Sequence, residues 1–167
     1  STEQAHSEEV VILIHGILNK PVFMKKIEKA LIKEGYPVIN WGYPSTKNNI
    51  EEHAAELDKT VRQIDKSKKI HFVVFSLGSI LTRYYLKAYP VANLGRVVMI
   101  GPPNHGSEIV DKLYPKVWFR WVYGNKSVEQ LQTSNKDFFY KKCGIPSCEF
   151  GIIAGGRGDG KGFSPFL

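Results

Sequence analysis

The chain has 167 residues, of which 43% are hydrophobic and 23% charged, a composition typical of a folded domain rather than of a disordered segment. Its length predicts a single domain over residues 1–167 with a continuous core, and no apolar run approaches the ~20 residues of a membrane-spanning helix. The formal net charge of +7 favours anionic surfaces or substrates, but without zinc-finger spacing or an aromatic RNA-binding motif we expect no nucleic-acid partner.

The sequence leaves the cellular compartment open. Residues 1–9 are polar and form no secretory leader, although earlier removal of a leader would leave the same start. Cys143 and Cys148 are the only cysteines; they could form a tight disulfide under oxidising conditions or remain two thiols. Because no further cysteine and no histidine lie near them, we expect no zinc site, and no other metal or organic cofactor is indicated.

Strands and helices alternate along most of the chain. Apolar, β-branched runs predict strands over residues 10–14, 37–41, 69–75, 96–100 and 149–154. Helical spacing predicts three helices: one opened by Pro21 and closed by Gly35, one capped by Asn48 or Asn49 and continuing to Ile64, and one over residues 79–88. This alternation predicts an α/β fold, a three-layer α/β/α sandwich with a mainly parallel sheet.

Ser76 stands between a β-rich apolar run and a helical segment. At a strand-to-helix corner of this kind the hydroxyl rises above the end of the sheet, and the next backbone N–H, that of Leu77, is free to bind an oxyanion. The G-x-S-x-G pattern is half present, because Val74 occupies the first glycine position and Gly78 the second. Alone, the segment could equally be a buried strand followed by an ordinary turn. We predict that Ser76 is a nucleophile because a second motif accompanies it.

The second motif, His15-Gly16-Ile17, follows the first predicted strand. Parallel α/β sheets bind ligands at the carboxyl ends of their strands, and Gly16 lets the backbone turn so that the Ile17 N–H can point at a substrate oxygen. We therefore predict the backbone amides of Ile17 and Leu77 as the two oxyanion donors. His15 would support this loop through hydrogen bonds rather than act as the base, which comes after the nucleophile in enzymes with this chain order.

Three segments, in this order, resemble the small bacterial lipases and esterases of the α/β-hydrolase superfamily. They are Val-Ile-Leu-Ile-His-Gly-Ile (residues 11–17), Phe-Val-Val-Phe-Ser-Leu-Gly-Ser (72–79) and Gly-Pro-Pro-Asn-His-Gly-Ser-Glu (101–108). The resemblance covers roughly residues 8–167 and departs from the family pattern at Val74, Phe75 and Ser79. It implies the α/β-hydrolase fold and ester hydrolysis without a cofactor.

The resemblance also implies that the catalytic acid follows the last predicted strand and that the histidine comes later still. Asp159 is a weak candidate for the acid, because Lys161 rather than an apolar residue follows the Asp-Gly pair. His105 is a fallback base whose surroundings favour a role in loop structure. We therefore expect both groups beyond Leu167, in a hydrolase domain that is incomplete at its C-terminal end.

The least regular region is 111–148, where aromatic and basic residues mix around Trp118 and Trp121. Such a mixture suits a lid or cap insertion, or transient contact with a lipid surface. The alternative is a short amphipathic helix that packs both tryptophans against the sheet.

Together, these features predict a serine esterase or lipase that cleaves small-molecule or lipid esters through an acyl-enzyme on Ser76. Transfer of the acyl group to another alcohol uses the same groups, so an acyltransferase stays open. An alternative from another class is a binding protein that kept the fold and lost the catalytic acid and base. An aspartate and a later histidine would distinguish the enzyme from the binding protein.

Overall fold

A computed structural model describes residues 6–16, 20–76, 78–101 and 148–153. The strands are β1 (Glu9–Ile14), β2 (Val38–Trp41), β3 (Lys69–Phe75), β4 (Leu94–Ile100) and β5 (Phe150–Ile153). The helices are α1 (Lys25–Lys33), preceded by a 3₁₀ turn (Pro21–Met24), α2 (Ile50–Arg62) and α3 (Gly78–Ala88). The predicted elements are all present, and the bounds of the strands lie within two residues of the prediction. The first helix differs most, because Pro21 opens a 3₁₀ turn and α1 begins four residues later, at Lys25.

The strands form a five-stranded sheet in the order β2-β1-β3-β4-β5, and every neighbouring pair is parallel. Residues Val10 to Ile14 of β1 are all buried, as the unbroken apolar run predicts for a strand covered on both faces. The strand that ends at Ser76, β3, lies in the middle of the sheet between β1 and β4. Its carboxyl end is therefore flanked by the carboxyl ends of both neighbours.

Helices cover both faces of the sheet, which confirms the predicted three-layer arrangement. On one face, side chains of α2 and α3 such as Leu57 and Leu81 pack against Ile12 and Phe72. On the other face, Met24 and the partly buried Ile27 and Leu31 pack against Val11 and Leu13 of β1. The sheet is thus the middle layer of the core.

Local sequence signals explain where the helices begin and end. Asn49 caps α2: its side chain accepts from the Glu52 N–H (2.9 Å), and the Glu52 carboxylate accepts from the Asn49 N–H (2.9 Å), which makes a capping box. Gly35 follows α1 with a φ of 89°, and its N–H donates to the Ile32 carbonyl, as expected of a glycine in the left-handed conformation.

The predicted continuation of α2 to Ile64 is wrong by two residues, because the last turn tightens. The N–H groups of Gln63 and Ile64 donate to carbonyls three residues earlier, which ends the α-helical pattern at Arg62. Within the described ranges, none of the helices is both long and apolar enough to span a bilayer.

Candidate active site

Ser76 occupies a strained corner between β3 and α3. Its φ is 51°, and within the described ranges it is the one non-glycine residue with a positive φ. The left-handed conformation costs an L-residue about 1–2 kcal/mol, so the surrounding structure must hold it. The Ser76 N–H donates to the Ile100 carbonyl of β4 (2.9 Å), and the Ser76 carbonyl accepts from the Ser79 N–H (3.0 Å). The corner is therefore fixed on its strand side and on its helix side.

Ser79, one of the departures from the family pattern, adds a bond at this corner. Its hydroxyl donates to the Ser76 carbonyl at 2.6 Å, alongside the backbone bond from the same residue. Ser79 is buried, with 1% of its surface exposed, so water does not compete for this bond. The serine at this position thus reinforces the turn.

Gly78 brings the start of α3 against the end of β1. A Cβ placed on Gly78 would come within 2.7 Å of the His15 carbonyl oxygen and within 2.9 Å of the Ile14 carbonyl oxygen. Real Cβ atoms do not approach backbone oxygens so closely, so a larger residue would push the two elements apart. The glycine therefore lets the Ser76 corner and the His15-Gly16 segment lie side by side.

His15 is buried and engaged at both ring nitrogens. Its Nδ1 lies 2.8 Å from the Gly16 carbonyl oxygen, which can only accept, so Nδ1 carries the proton. Its Nε2 then accepts from the Tyr43 N–H at 3.5 Å. Burial lowers the pKa of His15, which keeps the ring neutral and preserves this pair of roles. Both ring nitrogens are thus engaged by backbone groups, of Gly16 and of Tyr43.

Tyr43 follows β2 and contacts His15 through its hydroxyl and its ring. Its hydroxyl donates to the His15 carbonyl at 2.8 Å, and the two rings stack with centroids 4.4 Å apart. The Trp41 ring also stacks on the Tyr43 ring, with centroids 4.9 Å apart, and the His53 ring meets Tyr43 edge-on with centroids 4.8 Å apart. Tyr43 carries no motif in the sequence, so its contacts with His15 appear only in the structure.

The histidine–carboxylate contacts that the structure describes lie away from Ser76. Both involve Glu9, whose carboxylate bonds His6 (2.7 Å) and His71 (2.8 Å) near the amino ends of β1 and β3. These bonds lower the pKa of Glu9. Because Ser76 follows the carboxyl end of β3, this group cannot serve it as acid and base.

Several predicted residues lie outside the described ranges. They are the two oxyanion donors Ile17 and Leu77, the acid candidate Asp159, the fallback base His105, Cys143, and residues 111–147 of the predicted lid. Cys148 is described and is a free, half-buried thiol. Of the predicted site residues, the structure brings His15, Gly16 and Ser76 to the same edge of the sheet. No cluster of histidine, cysteine or acidic side chains suited to a metal ion occurs among the described residues.

Comparison with known proteins finds similarity in structure and not in sequence. No family model and no curated protein matches the sequence. A metagenomic carboxyl esterase superposes with a TM-score of 0.56 at 19% identity, over 65% of this chain and 35% of that one. An esterase from Exiguobacterium antarcticum gives a TM-score of 0.50 at 19% identity, over 56% of this chain and 38% of that one.

This chain has the α/β-hydrolase fold. The superposition and the parallel sheet with helices on both its faces confirm the fold expected from the sequence motifs. A third similar structure, tomato methylketone synthase I complexed with 2-tridecanone, has a TM-score of 0.50 at 14% identity, over 57% of this chain and 40% of that one. The chain spans between about a third and two fifths of the length of these three proteins.

Proposed function

We propose that this chain carries the nucleophile and the oxyanion-binding segment of a serine hydrolase that cleaves carboxylic esters. The observation that carries the proposal is the conformation of Ser76, which has a φ of 51° at the end of the central strand β3. A strained residue persists only where the surrounding structure holds it, and such strain is concentrated at functional sites. In the α/β-hydrolase fold this corner is the position of the nucleophile.

The proposed reaction passes through an acyl-enzyme on Ser76. In the proposed reaction, Ser76 Oγ attacks the ester carbonyl after giving its proton to a histidine base, and the alcohol leaves with a proton returned by that histidine. Water then cleaves the acyl-enzyme by the same route. The proposal assigns no described residue as acid or base. It places the oxyanion at the two backbone amides of Ile17 and Leu77.

The hydrogen bond between His15 and Gly16 supports the role of the first amide. The Gly16 carbonyl accepts from His15 Nδ1 at 2.8 Å. The buried imidazole thus holds the last described residue before Ile17, the donor proposed here. His15 and Gly16 are thus proposed to hold the donor in place.

The similar structures favour esters as substrates without deciding the reaction. Two of the proteins that share the fold are described as esterases, while a third is a methylketone synthase. One fold hosts many reactions, so the assignment depends on the Ser76 site and not on the fold. The proposed substrates are small-molecule or lipid esters.

The proposal includes contact of the protein with a lipid surface. Val22 and Phe23, in the 3₁₀ turn after β1, are 66% and 64% exposed. The exposed residues Lys20, Lys25 and Lys26 flank them, which suits an anionic lipid headgroup beside an apolar surface. A Val22→Ser, Phe23→Ser variant should lose binding to vesicles that contain phosphatidylglycerol. Ile32→Ser, at an exposed apolar position of α1, is the matched control.

The decisive experiment is covalent labelling of the protein at its natural length. A fluorophosphonate should add one label per molecule, and peptide mass analysis should locate it on Ser76. Ser76→Ala should abolish both the label and the hydrolysis of a p-nitrophenyl ester, whereas Ser67→Ala, in the exposed turn after α2, should retain both. Folded protein in which Ser76 stays unlabelled would favour the binding-protein alternative. Higher yield of a transferred acyl product than of free acid would favour an acyltransferase.

A further inference from the structure

We infer that the end of β2 positions the oxyanion-binding segment, and that Tyr43 is the positioning residue. The inference rests on the proposed ester hydrolysis at Ser76. It concerns a residue that would touch neither the substrate nor the reacting atoms and would act through His15.

Tyr43 fixes His15 through three separate contacts. Its hydroxyl donates to the His15 carbonyl at 2.8 Å, its N–H donates to His15 Nε2 at 3.5 Å, and its ring stacks on the imidazole with an interplanar angle of 18°. His15 is fully buried and Tyr43 is 8% exposed, so water cannot replace these bonds. Burial also raises the pKa of Tyr43, and its hydroxyl therefore remains a donor throughout the working pH range.

The carbonyl that Tyr43 holds is the one that faces the nucleophile corner. A Cβ on Gly78 would lie 2.7 Å from the same His15 oxygen. Tyr43 therefore fixes the plane of the His15–Gly16 peptide where it contacts the start of α3, two residues after Ser76. A rotation of this peptide would change the distance between the segment after β1 and the Ser76 corner. The tyrosine hydroxyl opposes that rotation.

A second contact from β2 holds the far end of the connection between β1 and α1. Asn40 Nδ2 donates to the Pro21 carbonyl at 2.9 Å and to the Glu28 carboxylate at 3.0 Å. A Cβ on Gly42 would come within 2.9 Å of Pro21 Cγ, so the residue after β2 is in close contact with Pro21. The same short stretch, residues 40–43, thus contacts the segment on both sides, at His15 and at Pro21.

The Tyr43 ring is itself held from two directions. Trp41 stacks against it with centroids 4.9 Å apart, and His53 of α2 meets it edge-on. Removal of the hydroxyl alone should therefore leave the ring in place. This separates the positioning bond from the packing of the core, and Tyr43→Phe is the variant that tests it.

The test compares Tyr43→Phe with Tyr85→Phe in the protein at its natural length. Tyr85 is a matched control, because its buried ring also carries a hydroxyl in one side-chain hydrogen bond, to Asp58 Oδ1 at 3.0 Å, between α3 and α2. A lost oxyanion donor costs about 100–1000-fold in kcat, and we expect a misplaced one to cost about 10–100-fold on a p-nitrophenyl ester. KM should change less than about twofold, because the oxyanion exists only in the transition state.

Inhibition supplies a readout that a purely structural role would not move. A trifluoromethyl ketone adds to a nucleophilic serine as a charged hemiketal, so its Ki should rise in Tyr43→Phe by the same factor as kcat falls. Tyr85→Phe should keep both values even if its melting temperature drops. Asn40→Ala, which releases Pro21, should change kcat and Ki in the same way as Tyr43→Phe. It serves as the test variant if Tyr43→Phe does not fold.

The outcomes separate this inference from the proposed function. If Ser76→Ala hydrolyses the ester as fast as the unmodified protein, the proposed function is wrong and the inference with it. If Ser76→Ala is inactive while Tyr43→Phe keeps its kcat and Ki, the inference alone is wrong. An equal loss of kcat in Tyr85→Phe would assign Tyr43 to general stability and would also overturn the inference.

Discussion

The carbonyl oxygen of His15 lies against the α-carbon of Gly78, so close that a Cβ there would be 2.7 Å away. The contact joins the end of β1 to the start of α3 across 63 positions of the chain. It is the point at which the two motifs recognised in the sequence meet. The approach depends on the absence of a side chain at Gly78 and on a fixed orientation of the His15 peptide.

Gly78→Ala should therefore destabilise the protein and impair the site together. The new methyl group would overlap two backbone oxygens, and overpacking of this kind costs about 1–3 kcal/mol of unfolding free energy. Thermal or urea unfolding measures the loss, and ester hydrolysis measures the displacement of the Ser76 corner. Gly151→Ala is the control, because a Cβ on Gly151 would meet no described atom within 4 Å. A Gly78→Ala variant as stable as Gly151→Ala would contradict the close contact.

Ser76→Gly and Ser76→Ala should both be inactive, but their stabilities should reflect the strain at this corner. Alanine keeps the strain of the left-handed conformation, whereas glycine removes its cost of about 1–2 kcal/mol. Glycine also loses about 0.5–1 kcal/mol more backbone entropy on folding. The unfolding free energy of Ser76→Gly, measured in urea, should consequently equal or exceed that of Ser76→Ala, by up to about 1.5 kcal/mol. A Ser76→Gly variant that is less stable than Ser76→Ala by the full entropy cost would show that the corner of Ser76 is unstrained.

Stability should fall as the pH is lowered from 7.5 to 5.5. Burial lowers the pKa of His15 and of His53 below the ordinary value of 6.5. As the pH falls through about 6.5, the unfolded chain takes up protons that the folded protein does not bind, so acidification favours unfolding. The loss ends once the pH is below the lowered pKa values.

Urea unfolding at a series of pH values measures this dependence, and His53→Gln should make it shallower. His6→Gln is the comparison, because His6 lies at the other end of β1 and bonds Glu9. The lowered pKa of Glu9 affects a more acidic range, below its ordinary value of 4.5, and so does not interfere. A pH profile that His53→Gln leaves unchanged would contradict the depressed pKa.

Asn49→Ala should destabilise the protein by about 1 kcal/mol, the usual cost of losing a helix cap. The substitution removes the acceptor for the Glu52 N–H and breaks the capping box. Asn48→Ala, one residue earlier, should change the unfolding free energy much less. The sequence left both asparagines open as the cap, so equal losses in the two variants would show that the cap is shared.

Much of the fold was predictable because its signals are local. The apolar run before His15, the proline at residue 21 and the positive φ of Gly35 each act on their own neighbours in the chain. The alternation of strands and helices then restricts the sheet to a parallel one with helices on both faces. The corner at Ser76 was predictable only together with the His15-Gly16-Ile17 motif, because a strand followed by Ser-Leu-Gly could equally lead into an ordinary turn.

The sequence by itself determined the strands, the helices, the type of sheet and the serine to examine. Only the tertiary structure decided which segments support that serine. Tyr43 contacts His15 across 28 positions, and Gly78 contacts it across 63. Neither contact has a local signal, because each depends on the order β2-β1-β3, which places three strand ends side by side. The sequence around a tyrosine in a turn does not indicate which carbonyl its hydroxyl will bond, because the sheet alone brings the two groups together.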